Sequence, residues 1–423
     1  MNATPPPFAV LATLSVLAGN LPAQSRPPAC AADNAGLTLP RGFCALFVTD
    51  SIGRARHIAV APNGDLFVAL QGNGGGVASL RDEDGDGVAE TRRRFGPGSG
   101  NGIALGGGFL YFALDDAIVR WPWRAGQLEP QGPPDTIVSG LISRRQHAAK
   151  SIALGRDGAL YVNIGAPSNS CQERDRQAGS PGRDPCTLLD SAGGIWRFDP
   201  SRLRQRQSDG VHFARGLRNV VAITTDPAGA VYGVQHGRDQ LHDFWPQLYT
   251  AEQSAEKPAE ELFRIEQGGD YGWPYCFYDP ELRLKVLAPE YGGDGRTAGR
   301  CASAPPPLVA FPAHWAPNGI AFYPGTQLQT PPVFPAEYHG GAFVAFHGSW
   351  NRAPLPQQGY NVVFVPFVRG AALGTFTVFA EGFRTGTGQA AHRPTGVAVG
   401  PDGSLYVTDD RGGRIYRIMY SGR

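Results

Sequence analysis

The sequence predicts an all-β fold, a six-bladed β-propeller, and three observations predict it. A strand–turn–strand unit recurs six times along the chain. Its strands alternate in apolar character with period two, and its turns carry Asn-Gly, Asp-Gly or other Gly-containing polar stretches, the signature of β-hairpins. Gly and Pro number 57 and 37 among 423 residues, which suits many turns between short strands better than long helices.

The copies run in order along the chain. HIAVAPNGDLFVAL begins at His57, NGIALGGGFLYFAL at Asn101, SIALGRDGALYVNI at Ser151 and VVAITTDPAGAVYGVQ at Val220. A looser fifth copy runs from NGIAFYPG at Asn318 to GGAFVAFHG, and PTGVAVGPDGSLYVTD begins at Pro394. Each copy is expected to form the two inner strands of a four-stranded blade. Little chain follows Met419, so the ring is expected to close by pairing strands from both chain ends. A β-sandwich or solenoid is the plain alternative. Irregular spacing and long insertions favour the propeller, whose connecting loops accept insertions on one face. The longest insertions follow the third, fourth and fifth copies.

The first 23 residues read as an export signal, with an apolar stretch from Phe8 to Leu21 and small residues at Leu21-Pro22-Ala23. Residues 24–423 then form one propeller domain with loop insertions, periplasmic or secreted. No later segment is long and apolar enough to span a membrane. The formal net charge of +1 gives no bulk attraction to nucleic acid or an anionic surface. Six cysteines fit an oxidising compartment and fall in local pairs: Cys30 with Cys44, Cys171 with Cys186, Cys276 with Cys301. Metal ligation is the competing use, but no C-x-x-C spacing occurs.

Candidate site residues stand where inner strands begin or end. His147, in SRRQHAAKSIALG, precedes an inner strand and would reach the channel mouth, where an imidazole can accept a proton. Arg218 and Asn219, in HFARGLRNVVAI, hold the same place one copy later, and an arginine there suits a carboxylate. In YGVQHGRDQLHDFWP a strand ends at Gln235 and enters a turn rich in oxygen ligands, where main-chain carbonyls could hold Ca²⁺. Trp350, Asn351 and Arg352 follow the fifth strand pair, and Arg393 precedes the last. Convergence of His147, Arg218, Arg352 and Arg393 would make a cationic pocket suited to a flat polyanion. For each residue alone, an ordinary surface charge or a plain turn is the alternative. Separately, Asp82, Asp84, Asp86 and Gly87 match the start of a calcium loop, with Glu90 in the ninth position. Arg93 stands where an EF-hand has its bidentate Glu, so the motif is either a structural Ca²⁺ loop or a solvated acidic turn.

Together GLTLPRGF, RGLRN, GGDYGWPYC, HGSWNR and HRPTGVAVGPDGSLYVTDD resemble the glucose/sorbosone dehydrogenase family, soluble sugar dehydrogenases that use pyrroloquinoline quinone (PQQ). The resemblance covers about residues 37 to 420 and is nearer the sorbosone-type branch. It implies a six-bladed propeller with PQQ over the channel. His147 would take the proton of a sugar hydroxyl while a hydride passes to the quinone. Arg218 would stabilise charge at the quinone oxygen, and Asn219 and Gln235 would seat the cofactor. Main-chain oxygens of Gly237 and Arg238 would hold a Ca²⁺ that touches PQQ. Arg352 or Asn351, with Arg393, would meet PQQ carboxylates. The substrate would be an aldose, sugar aldehyde or polyol, and the electron acceptor a cytochrome or quinone. Departures stand out. Ala166 replaces an acid near the base, Thr395 replaces a second arginine, and Gly237-Arg238 replaces Gly-Pro. A calcium-dependent sugar lactonase or a non-catalytic binding propeller are the other functions this fold could serve.

Overall fold

The computed structural model describes Met1 and residues 28–144, 146–324, 333–384 and 390–422. The segment read as an export signal lies outside the described residues, Met1 apart. Six sheets form the blades of a propeller, each strand antiparallel to the next across its four main strands. Blade one comprises Arg54–Val60, Leu66–Gln71, Gly76–Arg81 and Thr91–Phe95. Blade two comprises Gly100–Gly106, Phe109–Leu114, Ala117–Pro122 and Asp135–Ser139. Blade three holds Ile152–Leu154, Leu160–Ile164, Gly194–Phe198 and Val211–Arg215, and blade four Ala222–Thr225, Val231–Gln235, Glu260–Ile265 and Val309–Phe311. Blade five holds Pro317–Phe322, Ala342–Phe346, Asn361–Val365 and Thr377–Ala380.

Blade six closes the ring. Pro394–Val399, Leu405–Asp409 and Ile415–Tyr420 come from the end of the chain, and the outer strand Phe43–Thr49 from its beginning. Phe43 pairs with Tyr420 and Cys44 with Met419. The closure expected from the short tail is therefore present, and each repeated unit forms the inner strand pair of its blade.

The core lies between blades, not inside one sheet. Six buried clusters fill the six gaps, and the period-two alternation divides each strand between two of them. Leu160 and Val162 pack toward Tyr111 and Ile118 of blade two, whereas Tyr161 turns to Ile223 and Val231 of blade four. Both faces of an inner strand are thus apolar and buried. Each large side chain so buried contributes roughly 1.5–3 kcal/mol.

Inner strands also approach one another at the axis. A Cβ on Gly319 would lie 2.4 Å from the Thr395 carbonyl oxygen, and one on Gly396 2.5 Å from that of Arg56. Glycine is required there because the obstacle is a neighbouring main chain. Inside runs a channel of about 370 Å³ lined by one stretch from every blade, including Ile58, Ala104, Ala153, Thr224, Ile320 and Ala398.

All three expected disulfides are present: Cys30–Cys44, Cys171–Cys186 and Cys276–Cys301. The second and third staple insertions that carry small cores of their own. One groups Leu189 and Trp273 with Cys171 and Cys186, the other Tyr249, Phe277 and Val286. Among the described residues no helix is long and apolar enough to cross a membrane.

Candidate active site

In each blade the first strand begins, and the second ends, at the same rim of the channel. Residues flanking those points therefore gather at one mouth, however far apart they lie in sequence. His147 precedes Ile152–Leu154, Arg218 precedes Ala222–Thr225, and His314 and Ala316 stand before or at the edge of Pro317–Phe322. His236 and Gly237 follow Val231–Gln235, and Asn351 follows Ala342–Phe346. With Gln146, Arg176, Asp239, Glu260 and Trp350 they line a cavity of about 270 Å³.

His147 has a left-handed main chain, φ 53°. Its Nδ1 lies 2.5 Å from the carbonyl oxygen of Ala166. A carbonyl only accepts, so Nδ1 carries the proton and Nε2 is left as an acceptor. Burial, reinforced by the Arg218 charge, lowers His147 to about 3, so the imidazole is neutral at ordinary pH. The family resemblance left His147 without an acidic orienter. The orienter is a main-chain carbonyl, which the side chain at position 166 does not alter. Gly165 makes the close packing feasible, since a Cβ there would lie 2.6 Å from the His147 Cβ and 2.7 Å from Asn219 Oδ1.

Arg218 is buried beside this imidazole, 3% exposed. Its Nε donates to Asn169 O at 3.1 Å and its Nη1 to Gly237 O at 2.8 Å. Its Nη2 donates to Asn169 Oδ1 at 3.0 Å and Asp239 Oδ2 at 2.8 Å. A guanidinium held on every side is a fixed charge.

Asp239 is the hub of the cavity. Besides Arg218 it accepts from Arg176 Nη2 at 2.9 Å and Asn351 Nδ2 at 3.0 Å. Burial alone would raise its pKa, but Arg218 and Arg176 outweigh burial and hold the carboxyl below its usual range. Glu260 behaves oppositely. Burial raises it to about 7, although it accepts from Gly237 N at 2.7 Å and Ala316 N at 3.1 Å. His314 donates from Nε2 to Ser254 O at 2.8 Å and leaves Nδ1 toward Asn351.

The other sequence candidates are placed as follows. Asn219 is buried and accepts from Asn163 Nδ2 at 3.1 Å. Gln235 accepts from Arg218 N at 2.9 Å and donates to Glu261 Oε1 at 2.8 Å. Asn351 lines the cavity and keeps its buried Oδ1 without a partner. Arg352 donates to the carbonyls of Ala255 and Ala313, and Arg393 to those of Gly348 and Ser349. Neither lines the cavity, so the expected pocket of four converging cations is instead a mixed one, with Arg176 and Arg218 facing Asp239 and Glu260. The Arg238 side chain turns away into a buried ion pair with Glu290 at 2.6 Å. Asp82, Asp84 and Asp86 stand apart on blade one, where with Glu90 their oxygens come within 4.8 Å of one another.

Sequence reasoning did not single out Asp239, Glu260, Arg176, His314 or Gln146. Asp239 and Glu260 are ordinary acids in loop and strand, and Arg176 belongs to an insertion with no repeat pattern. One conformational feature joins several of them. Of thirteen described non-glycine residues with left-handed main chains, His147, Arg176, His314 and Ala316 line this single cavity. Such strain collects at functional sites.

The fold described above has counterparts among known proteins. A family model described as TrAA12-like matches residues 37–421. A pyrroloquinoline quinone-dependent pyranose dehydrogenase of Coprinopsis cinerea is 27% identical over 239 residues, 48% of this chain and 30% of that protein. The chain's matches span only 30% to 48% of the length of the curated relatives. The holo form of the pyranose dehydrogenase PQQ domain from Coprinopsis cinerea superposes with a TM-score of 0.73 at 21% identity, covering 94% of this chain and 99% of that one. The calcium structure of a Trichoderma reesei carbohydrate-active enzyme of family AA12 gives 0.72 at 19% identity, with 94% and 100% covered. At these identities the two structures speak to the fold.

Proposed function

The chain belongs to the TrAA12-like family, and from that membership we propose that it is a PQQ- and Ca²⁺-dependent oxidoreductase acting on an aldose, sugar aldehyde or related polyol. One observation carries this reading. A neutral imidazole, His147, with Nδ1 engaged by Ala166 O and Nε2 open, lines the same cavity as the immobilised Arg218.

The cavity's chemistry suits the cofactor and the metal. Asn351 Oδ1 is a buried acceptor without a donor. Trp350, 64% exposed, offers an aromatic face at the rim to a flat ring. Gly237 O and Glu260 are hard oxygen donors of the kind Ca²⁺ takes, with the Arg238 carbonyl one residue on. Gly237 O already accepts from Arg218, so the metal would share it through the second lone pair. When bound, the quinone supplies an electrophilic carbon that accepts a hydride, two electrons with one proton, from the substrate's C–H bond.

The residues of the chain do the rest. His147 Nε2 takes the proton of the substrate hydroxyl, leaving the carbon–oxygen bond to become a carbonyl as the hydride departs. The imidazolium so formed lies beside Arg218, whose charge, like burial, favours its return to the neutral form. Arg218, fixed by Asn169, Asp239 and Gly237, presents positive charge that needs no reorganisation as negative charge develops. Asn219 and Gln235 hold the Arg218 turn from behind, and Arg352 and Arg393 brace the loop that carries Trp350 and Asn351. A lactonase would use Asp239 as a bare metal ligand, but Arg176, Arg218 and Asn351 already occupy it. The Asp82, Asp84 and Asp86 loop is read as a separate structural Ca²⁺ site. Three disulfides fit a periplasmic or secreted protein, with a cytochrome or quinone as electron acceptor.

The test is reconstitution. Protein mixed with PQQ and Ca²⁺ is expected to reduce a dye when given a sugar from an aldose and sugar-aldehyde panel. His147→Ala is expected to retain quinone binding and lose roughly 10²- to 10⁴-fold in kcat. Absence of both quinone binding and dye reduction overturns the proposal, and an unchanged kcat in the variant removes His147 from the role of base.

A further inference from the structure

We propose that Asp175 and Arg176 form a clamp that sets His147 through Gln146, so that the loop closed by Cys171–Cys186 is a positioning device for the base. The inference rests on the proposed role of His147 but concerns residues that role does not use.

The loop is built to be stiff. Besides the disulfide, Gln172 and Gly182 form a β-bridge, and Glu173 N donates to Pro181 O at 2.9 Å. Asp175 Oδ1 accepts from Ser168 Oγ at 2.5 Å and Asn169 N at 3.0 Å, which aims its other oxygen. Asp175 Oδ2 then accepts from Gln146 Nε2 at 2.6 Å, while Arg176 Nε donates to Gln146 Oε1 at 3.1 Å. Two consecutive residues thereby grip both ends of one carboxamide. That arrangement fixes the side chain's position and its orientation.

Arg176 is anchored in turn. Its Nη1 donates to Gln240 Oε1 at 2.6 Å, and its Nη2 to Asp239 Oδ2, the oxygen that also takes Arg218. Three divergent bonds need a planar fork, which arginine has and lysine lacks. The Arg176 main chain is left-handed, φ 56°, and is held by a 2.9 Å bond from its N–H to Gln172 Oε1. His147 is left-handed as well, φ 53°. Each such conformation is unfavourable in a non-glycine residue and persists only where the surroundings enforce it. Gln146 is the residue before His147. Holding its side chain holds the peptide unit on which the imidazole turns, and so keeps Nδ1 on Ala166 O and Nε2 toward the cavity.

The test uses the full chain with Arg176→Ala, Arg176→Lys and Gln146→Ala. In the protein without cofactor, carbethoxylation of His147 by diethyl pyrocarbonate is followed by peptide mapping. In the reconstituted protein, kcat and KM are measured. Arg176→Ala is expected to lower kcat roughly 10- to 100-fold with KM within about threefold, and to speed His147 labelling several-fold. Arg176→Lys should recover part of both effects, because an ammonium reaches some of the three partners. Gln146→Ala removes the gripped group and leaves the Arg176–Asp239 pair, so it should reproduce both effects even if Arg176→Ala does not fold. Unchanged labelling and kcat in Arg176→Ala, or in Gln146→Ala where that variant does not fold, overturn the clamp. A raised KM with unchanged labelling also overturns it, by making Arg176 a substrate contact. If the unaltered protein reduces no dye, the sugar-oxidoreductase proposal fails, while the labelling arm still decides the clamp.

Discussion

At the scale of single residues, burial sets the ionisation of the buried histidines and of Glu260 more than pairing does. Burial is the largest cause that lowers His57, His147 and His236, to about 4, about 3 and about 4. Unfolded, each would titrate near 6.5, so below that pH the unfolded chain binds protons that the folded one refuses. Their stabilisation is present above pH 6.5 and is lost as pH falls through the window toward 4, by at most about 1.4 kcal/mol per pH unit for each histidine. Glu260 works in the opposite sense. Raised by burial to about 7, it lowers stability as pH rises from about 4.5 to 7. Urea denaturation between pH 4.5 and 6.5 should therefore show stability rising with pH. His236→Asn should flatten that rise and Glu260→Gln should steepen it, and a profile indifferent to both would contradict these assignments. The catalytic candidates were legible at this scale only by position. His147, Arg218 and Asn351 flank inner strands, and Asp239 lies in the turn after Gln235, whereas nothing distinguishes Arg176 until its insertion folds back over the mouth.

At the scale of elements, two motifs read from the sequence make different demands. The Asn-Gly of the fifth copy is a hairpin-like signal, yet Gly319 serves a packing need: a Cβ would meet the Thr395 carbonyl oxygen at 2.4 Å. Gly319→Ala is expected to cost roughly 1–3 kcal/mol, because main chain cannot move aside as a flexible side chain would. Chemical denaturation measures it, and a change under half a kilocalorie would mean the blades can part locally. The calcium loop makes a local demand. Asp82 accepts from Gly85 N and Gly87 N at 2.7 and 2.8 Å, so its turn is already formed before any ion is considered. Added Ca²⁺ should raise the thermal midpoint by a few degrees, and Asp84→Asn with Asp86→Asn should abolish that increment. An equal rise in the double variant would assign the effect to another site.

At the scale of the whole molecule, closure of the ring dominates. Phe43–Thr49 is the outer strand of blade six, and its Cys44 and Leu46 join the cluster between blades six and one while Phe43 and Ala45 join that between five and six. Removing residues 28–49 would open one sheet edge and both adjacent gaps. The truncated protein should lose cooperative unfolding and bind a hydrophobic dye, and a single sharp transition like that of the full chain would show that closure is dispensable. The disulfide Cys30–Cys44 ties the approach to this strand and supports the same junction.

The repeat of short apolar strands and Gly-containing turns pointed to the architecture by itself, because a blade buries both faces of its inner strands and successive side chains of one strand pack on two neighbouring blades. The cysteine spacing likewise announced the three staples, each closing a short loop. The tertiary structure alone decided which charges share a cavity. That outcome depends on where long insertions end up after the ring has closed, and insertions lack the periodicity that ties sequence to position. Hence the place of His147 at the channel mouth could be anticipated from the inner strand beside it, while the Ala166 carbonyl on its Nδ1, the three donors shared by Asp239 and the Arg176 fork could not.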